Sequence, residues 1–508
     1  MIIKRLNSLS LLWLTLLIGF VLKFTISFNT GLFEDEAVYW NWSHSPDPSY
    51  SFTTLISLKI FSLIFGNKEE LLVRLPALIT NFIILLFLFK IGKLFNIKNT
   101  KILLAAVLFF SVPFVTIYTS FISPDSLLLL LSVVSIYFVL KILKHNNTSD
   151  WIYCGISLGL LTLSKYTGII YFIITVFYLT LNKKIFVAKF FKNILLLLIS
   201  FLVVISPLSY WNLSFEPVWL NHYIFTDADK VFISYTDRLI AFFLSQIAIL
   251  LPVALILIIL ILRKNITLKT KFVPEKYLMF FFTAMLIISV LASLSGKIKG
   301  NWFFIVYIPL LISVIFISYP KYFKILVAVS ASVNIILLII LNMSPSALKN
   351  MTDNYFGKFI NSTFQNYWPG HIDNANNDRS WEERIIKMKS HKSNISSLSE
   401  EIVGLTVEYG FIATDDFNLC SLLEYYLKTE KKIYVLGDMR FKYINFAESN
   451  INLKGQNALV ITYNKSDLTL LESKFDKVVI LKSFNYESMK GYDLIYCENF
   501  NSPGHFNK

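Results

Sequence analysis

Charge is scarce in this sequence. Only 16% of its 508 residues are Asp, Glu, Lys or Arg, too few for a soluble enzyme of this size. Three cysteines, Cys154, Cys420 and Cys497, are too few for a disulfide framework. No Cys-X-X-Cys pair and no His/Cys cluster has the spacing of a zinc site. The chain has no glycine-rich phosphate loop, which removes the commonest nucleotide-binding signature. It has no internal repeat of the kind that paired transporter halves carry. The first apolar run follows Lys4 and Arg5 and has no small-residue cleavage site after it, so it reads as a retained span.

Apolar residues are abundant instead. Hydrophobic residues make up 55% of the chain and aromatics 16%, with a mean hydropathy of +0.60. Several runs approach the roughly 18 residues needed to cross about 30 Å of hydrocarbon. The expected fold class is an α-helical polytopic membrane protein of about eleven spans, with a C-terminal extracytoplasmic α/β domain. The spans are expected at 8–28, 75–95, 101–120, 124–144, 151–165, 166–182, 193–213, 239–262, 277–295, 302–319 and 323–342. Every second loop is basic: Lys93, Lys98 and Lys101; Lys141 and Lys144; Lys183, Lys184, Lys189 and Lys192; Arg263 to Lys276; Lys321 and Lys324. By the positive-inside rule the N-terminus lies in the cytoplasm and the C-terminus outside. The net charge of +14 therefore reports topology, and no nucleic-acid partner is expected.

The expected division is a membrane domain over 1–342 and an accessory extracytoplasmic domain over 343–508. The tail becomes polar and Asn-rich near 361–378. It then alternates short apolar runs with turns, at 433–438, 458–464, 477–484 and 492–497, with a helical pattern over 419–428. That is the rhythm of a small α/β domain. The outer segment 29–74 is expected to form helices lying on the membrane surface, its stretch Leu55–Phe65 being amphipathic.

The most informative feature is Glu34-Asp35-Glu36, followed by Tyr39, Trp40 and Trp42. Charges beside a bilayer are costly unless they face water or a site. Such acids serve as a general base or as ligands of a cation, so a divalent cation is the one cofactor left open. The plain alternative is a solvated loop ahead of an aromatic belt. Asp125, in Ser123-Pro124-Asp125, lies on the same side and is either a helix cap or a second site acid. Lys165 is an outer-side lysine, explained by snorkelling or by a lipid phosphate. With Arg238, Lys297 and Lys299 it would make an anion site. Trp211, Trp219 and Trp302 are placed to stack on a sugar or to mark the interface. His44 and His222 read as solvated, and Arg74 as an anchor for the second span.

Six segments occur in an order that resembles the GT-C superfamily of polyprenol-phosphate-sugar-dependent glycosyltransferases, in particular the protein-mannosyltransferase-like and lipid A aminoarabinose transferase-like branches. They are FEDEAVYWNWS (33–43), FGNKEELLVRLPAL (65–78), SPDSLLLLL (123–131), GLLTLSKYTGIIY (159–171), PLSYWN (207–212) and KGNWFFIVYIPLL (299–311). The resemblance implies catalytic roles for Asp35 and Asp125 and a donor-phosphate role for Lys165. Glu36 is expected beside the catalytic acids, and Tyr166, Arg238, Lys297 and Lys299 are expected to complete the donor-phosphate set. Sugar or acceptor contacts are expected from Tyr39, Trp40, Trp211, Asn301 and Trp302. The implied partners are a polyprenyl-phosphate-linked sugar donor, a lipid or glycan acceptor, and the lipids of a bacterial cytoplasmic membrane; the implied chemistry is inverting transfer. One departure stands out. Relatives carry His-Pro-Pro or Lys-Pro-Pro where this chain has Ser51-Phe52-Thr53-Thr54, which would weaken one phosphate contact and implies a donor held differently. The competing readings are a protein serine/threonine acceptor on the same fold, a transporter for lipid-linked glycans, and a binding or assembly subunit.

Overall fold

The computed structural model describes residues 8–44, 51–66, 69–182, 189–214, 235–250, 273–294, 304–316, 323–344, 392–402, 408–427, 433–436, 453–463, 468–486 and 489–501, with a few isolated positions between them. The membrane half starts with α1 (Ser8–Asn29), two short helices α2 (Glu34–His44) and α3 (Phe52–Phe65), and α4 (Glu70–Leu94). It continues through α5 (Asn99–Phe110), α6 (Pro113–Tyr118), α7 (Pro124–His145), α8 (Thr148–Ser164), α9 (Gly168–Leu181) and α10 (Phe190–Ser214). The last membrane-half helices are α11 (Tyr235–Leu250), α12 (Val273–Ser293), α13 (Tyr307–Ser313) and α14 (Phe323–Asn342).

Among the described residues six helices, α1, α4, α7, α10, α12 and α14, are long and apolar enough to cross a membrane. The expected count of about eleven is not reached among them, and the reasons are local. The run expected to span 101–120 is broken after Phe110, because Pro113 opens a new helix at its first turn. The run 151–182 divides, as expected, into two short helices, α8 and α9, around Lys165-Tyr166-Thr167. With 14 residues, α9 rises about 21 Å, short of a full crossing. Residues 251–272 and 317–322, parts of two further expected spans, lie outside the described residues.

Burial sorts the helices into layers. α4 and α7 bury over half of their most apolar window, whereas α1 turns Leu11, Trp13, Leu14, Leu17 and Val21 outward, as a lipid-facing helix does. α8 and α10 pack closely through Gly155 and Gly159. A methyl group on Gly155 would sit 2.3 Å from the Leu197 carbonyl oxygen, and one on Gly159 2.8 Å from Val204. α3 buries Thr54, Leu55 and Leu58 and leaves Ile60, Leu63 and Ile64 exposed on its other side.

The tail folds as a five-stranded sheet of order β2-β1-β3-β5-β4. β1 (Phe411–Thr414), β2 (Ile433–Val435) and β3 (Ala458–Tyr463) are parallel, with helix α15 (Phe417–Tyr426) crossing between β1 and β2. A one-turn helix, α16 (Thr469–Glu472), precedes β4 (Phe475–Tyr486) and β5 (Met489–Phe500), which add as an antiparallel hairpin. The sequence rhythm thus extends to a mixed sheet. β1, a four-residue strand buried throughout, carries no alternation by which to find it.

Candidate active site

A helix advances about 100° per residue, so three consecutive carboxylates at its start cannot share one environment. The first turn of α2 separates them. Glu36 points into the bundle and is 1% exposed. Its carboxylate accepts from Arg74 Nε at 2.9 and 3.1 Å and from Arg74 Nη2 at 2.5 Å. It also accepts from the backbone N–H groups of Phe33 and Ile122, each at 3.0 Å. Arg74, fully buried, donates to the carbonyls of Ser27 (3.2 Å), Thr30 (2.8 Å) and Gly31 (2.6 Å) and to the Thr30 hydroxyl (2.8 Å). This pair fastens the end of α1, the start of α2, α4 and the segment before α7 at one end of the bundle. Glu36 is expected among the catalytic acids. Its carboxylate is buried and saturated by Arg74 and two backbone N–H groups, and Arg74, expected as an anchor for the second span, ties the start of α4 to α1 and α2.

Glu34 turns toward the tail and accepts a hydrogen bond from the Tyr463 hydroxyl at 2.9 Å. Burial pushes that hydroxyl well above its ordinary pKa, and the neighbouring Glu34 carboxylate adds to the effect, so Tyr463 keeps its proton and donates. Asp35, between the two, is exposed. Of the three acids it is the one presented to an incoming molecule.

Asp125 occupies the first turn of α7, behind a capping box formed by Ser123 and Ser126. The bond from Ile122 N–H to Glu36 brings this turn beside α2. Asp125 pairs with Lys165 Nζ at 2.8 Å, and Ser164 donates to the Pro124 carbonyl at 2.7 Å, clasping the end of α8 to the start of α7. The Lys165 side chain remains 12% exposed. An ammonium has three donors, and Asp125 takes one. The break between α8 and α9 is what places this lysine at the rim.

Tail and bundle share one apolar cluster. It joins Leu32, Ala37, Leu58, Val73 and Ile122 to Leu419, Leu422, Leu423 and Tyr463. Polar contacts cross the same seam. Tyr426 accepts from Leu32 N–H at 2.7 Å and donates to Glu70 at 3.2 Å, Lys392 pairs with Glu70 at 2.9 Å, and Asn41 donates to Glu424. The sheet domain therefore sits on the acid-bearing end, with α15 against α2.

The other expected residues are placed less centrally. Arg238 donates to the Leu294 carbonyl at 2.7 Å, at the end of α12, and lies over the Tyr235 ring. Tyr166 is half-buried beside Lys165. Tyr39 packs edge-on to Trp42, and Trp40 packs against Tyr425 and His44. Lys297, Lys299, Asn301, Trp302, Trp219 and His222 lie outside the described residues, and so does the side chain of Trp211. Among the described residues no group of three or more His, Cys, Asp or Glu side chains could hold a metal ion. One residue escapes the sequence reading. Lys23 is buried inside α1 and donates to Asn81 at 2.9 Å and Thr119 at 2.8 Å. Its signal is a single ammonium inside an apolar run, which within a bilayer requires partners.

The comparisons agree with this architecture. Residues 51–211 match the family described as dolichyl-phosphate-mannose-protein mannosyltransferase. The fold is similar to that of ArnT from Cupriavidus metallidurans bound to undecaprenyl phosphate, with 13% identity, 95% of this chain and 97% of that chain covered, and a TM-score of 0.61. The same protein in its apo state matches at 14% identity over the same shares, with a TM-score of 0.57. No curated protein sequence matches the chain. The chain thus has the ArnT-like fold that its ordered motifs lead one to expect, a helical bundle with a small C-terminal sheet domain.

Proposed function

We propose that the chain is an integral membrane glycosyltransferase that moves a sugar from a polyprenyl-phosphate donor to a lipid or glycan acceptor of lipid A type. The observation that carries this reading is Asp35, the exposed acid of the first turn of α2, at the same end of the bundle as the Asp125–Lys165 pair, the end that the tail covers. The family match over 51–211 and the ArnT-like fold support it. The reaction occurs on the extracytoplasmic face of a bacterial cytoplasmic membrane, with the N-terminus inside. The alternating basic loops support that orientation.

The chemistry is a displacement at the anomeric carbon. The acceptor hydroxyl oxygen forms the new bond to that carbon as the bond to the phosphate oxygen breaks, with inversion. Asp35 takes the hydroxyl proton, or orients an acceptor that is already anionic. The phosphate leaves with the bonding electron pair, and Lys165 stabilises its charge, as preorganised electrostatics does where charge develops. Asp125 holds Lys165 in place. Glu36 and Arg74 fix the backbone on which Asp35 stands.

A protein serine or threonine acceptor is the second reading, favoured by the description of the family matching 51–211. The deciding experiment incubates the purified full chain with a sugar-bearing undecaprenyl phosphate and offers a glycolipid or a Ser/Thr peptide. Transfer to the glycolipid is expected. Transfer to the peptide alone selects the second reading. Movement of the donor across liposomes without release or transfer of sugar would show a transporter.

A further inference from the structure

The turn that carries Asp35 is held by two bodies at once. Glu36 serves the bundle side. Its carboxylate binds Arg74 and accepts from the Phe33 N–H, while the Phe33 carbonyl accepts from the Ala37 N–H at 3.0 Å and opens α2. This is the reciprocal bond of a capping box, with Phe33 at the N-cap position. Tail residues hold the other side. The Tyr463 hydroxyl donates to Glu34 at 2.9 Å. The Tyr426 hydroxyl accepts from the Leu32 N–H at 2.7 Å and donates to Glu70 of α4 at 3.2 Å. Residues 34 and 36 point about 200° apart on a helix, so the two grips oppose one another with Asp35 between them.

Both tyrosines are themselves fixed. Tyr463 ends β3, is buried, and stacks on Tyr492 of the neighbouring strand β5 at 5.6 Å between ring centres. Tyr426 ends α15 and packs edge-on to Tyr425, whose ring packs edge-on to Trp40 of α2. Rings on a sheet strand and on a packed helix end leave little freedom to the hydroxyls at their tips. The apolar cluster between tail and bundle holds the tail down without direction. The two hydroxyls add direction, and they add it at residues 32 and 34.

We propose that Tyr463 and Tyr426 are positioning residues for Asp35, so that the docked tail domain helps set the carboxylate where the acceptor hydroxyl meets it. This assignment rests on the reading of Asp35 as the base and deepens it, making the tail part of the working site. A misplacement of about 1 Å can cost on the order of 100-fold in rate. The donor phosphate is assigned to Lys165, whose bond to Asp125 ties α7 to α8 and involves neither tyrosine. Rate and donor binding should therefore separate.

The test uses the full chain in nanodiscs, with the sugar donor and acceptor that the wild type turns over in the experiment above, and bare undecaprenyl phosphate as the binding probe. Tyr463→Phe should lower kcat about 3- to 10-fold, one neutral hydrogen bond being lost. Its affinity for bare undecaprenyl phosphate should stay within about twofold of the original. Tyr426→Phe should separate the two readouts in the same way. Glu34→Ala breaks the Tyr463 bond from the bundle side and repeats the comparison if a tail variant does not fold. The decisive arm places Tyr463→Phe in an Asp35→Asn chain. Residual transfer there should fall no further, because the group being positioned is gone. An equal drop in both backgrounds, an equal loss of carrier affinity, or no drop in the original background would overturn the proposal. In those outcomes a slow Asp35→Asn chain leaves the base reading standing. Original turnover in Asp35→Asn, or a wild-type chain that transfers nothing, overturns both.

Discussion

Two carboxylate–cation pairs lie at the same end of this molecule, and they do opposite things. Glu36–Arg74 is sealed, with side-chain exposures of 2% and 0%; Asp125–Lys165 is at the rim, with 9% and 12%. The first pair spends its hydrogen-bonding capacity on the chain itself, on four carbonyl or hydroxyl oxygens and two backbone N–H groups. The second spends one ammonium donor on Asp125 and keeps the rest. Buried pairs contribute little net stability yet are costly to break, because the survivor is a bare charge in a poor solvent. A rim pair can exchange its internal partner for a ligand. The lesson is that charge type and sequence neighbourhood do not separate a scaffold pair from a working pair; saturation does.

Breaking the sealed pair should have the largest effect. Arg74→Met leaves Glu36 buried without its partner and should cost about 3–5 kcal/mol, read as lost yield and a lower melting temperature in detergent. Adding Glu36→Leu to Arg74→Met should recover much of that stability, since an apolar pair of similar volume replaces an ion pair with little loss. An Arg74→Met chain of unchanged stability would remove the contrast between the two pairs.

Asp35→Asn comes next. Transfer should fall to about one per cent or less of the original, as for loss of a general base worth roughly 10²–10⁴-fold, with the melting temperature unchanged because the side chain is exposed. Wild-type turnover in this variant would return Asp35 to the solvated-loop reading. The rim pair should then show a binding effect with a smaller loss of stability than Arg74→Met. Lys165→Ala loses a charge-assisted bond worth roughly 1.5–3 kcal/mol to the phosphate, or about 10- to 150-fold in donor affinity. Equal losses of stability in Lys165→Ala and Arg74→Met would mean that both pairs are scaffolding.

The smallest effect concerns the seam with the tail. Tyr463→Phe removes one hydrogen bond to Glu34 and should weaken docking by about 0.5–1.5 kcal/mol. The same bond predicts a pH dependence. In the folded chain the hydroxyl holds its proton above the ordinary tyrosine value of 10.0, for burial first and Glu34 second. The unfolded chain loses that proton near 10.0. The contribution to stability is therefore complete below about pH 10 and is lost as the pH rises beyond it. Melting curves at pH 8 and 10.5 should differ less for Tyr463→Phe than for the original chain, and identical differences would detach Tyr463 from the seam.

How much was legible before folding differs by residue. The polytopic class, the long apolar helices, the α/β tail and the motif order are properties of composition and spacing, and these can be read one segment at a time. The division of labour among Glu34, Asp35 and Glu36 cannot. Three adjacent acids look equivalent in sequence, and only the packing of α2 between α4, the turn before α7 and the tail sheet sends one to Arg74, one to Tyr463 and one to solvent.

Sequence by itself determined that this chain crosses a membrane repeatedly, carries an acidic segment after its first span and ends in a small α/β unit, because hydrophobic length and local periodicity act within single elements. Tertiary structure alone decided which charges are neutralised inside and which stay available. The partners that saturate Glu36 lie as far as 86 residues away in the chain, and the tyrosine that holds Glu34 lies 429 away. Hydrogen-bond saturation is a property of atoms brought together in space, so contacts at such separations leave no local pattern to read.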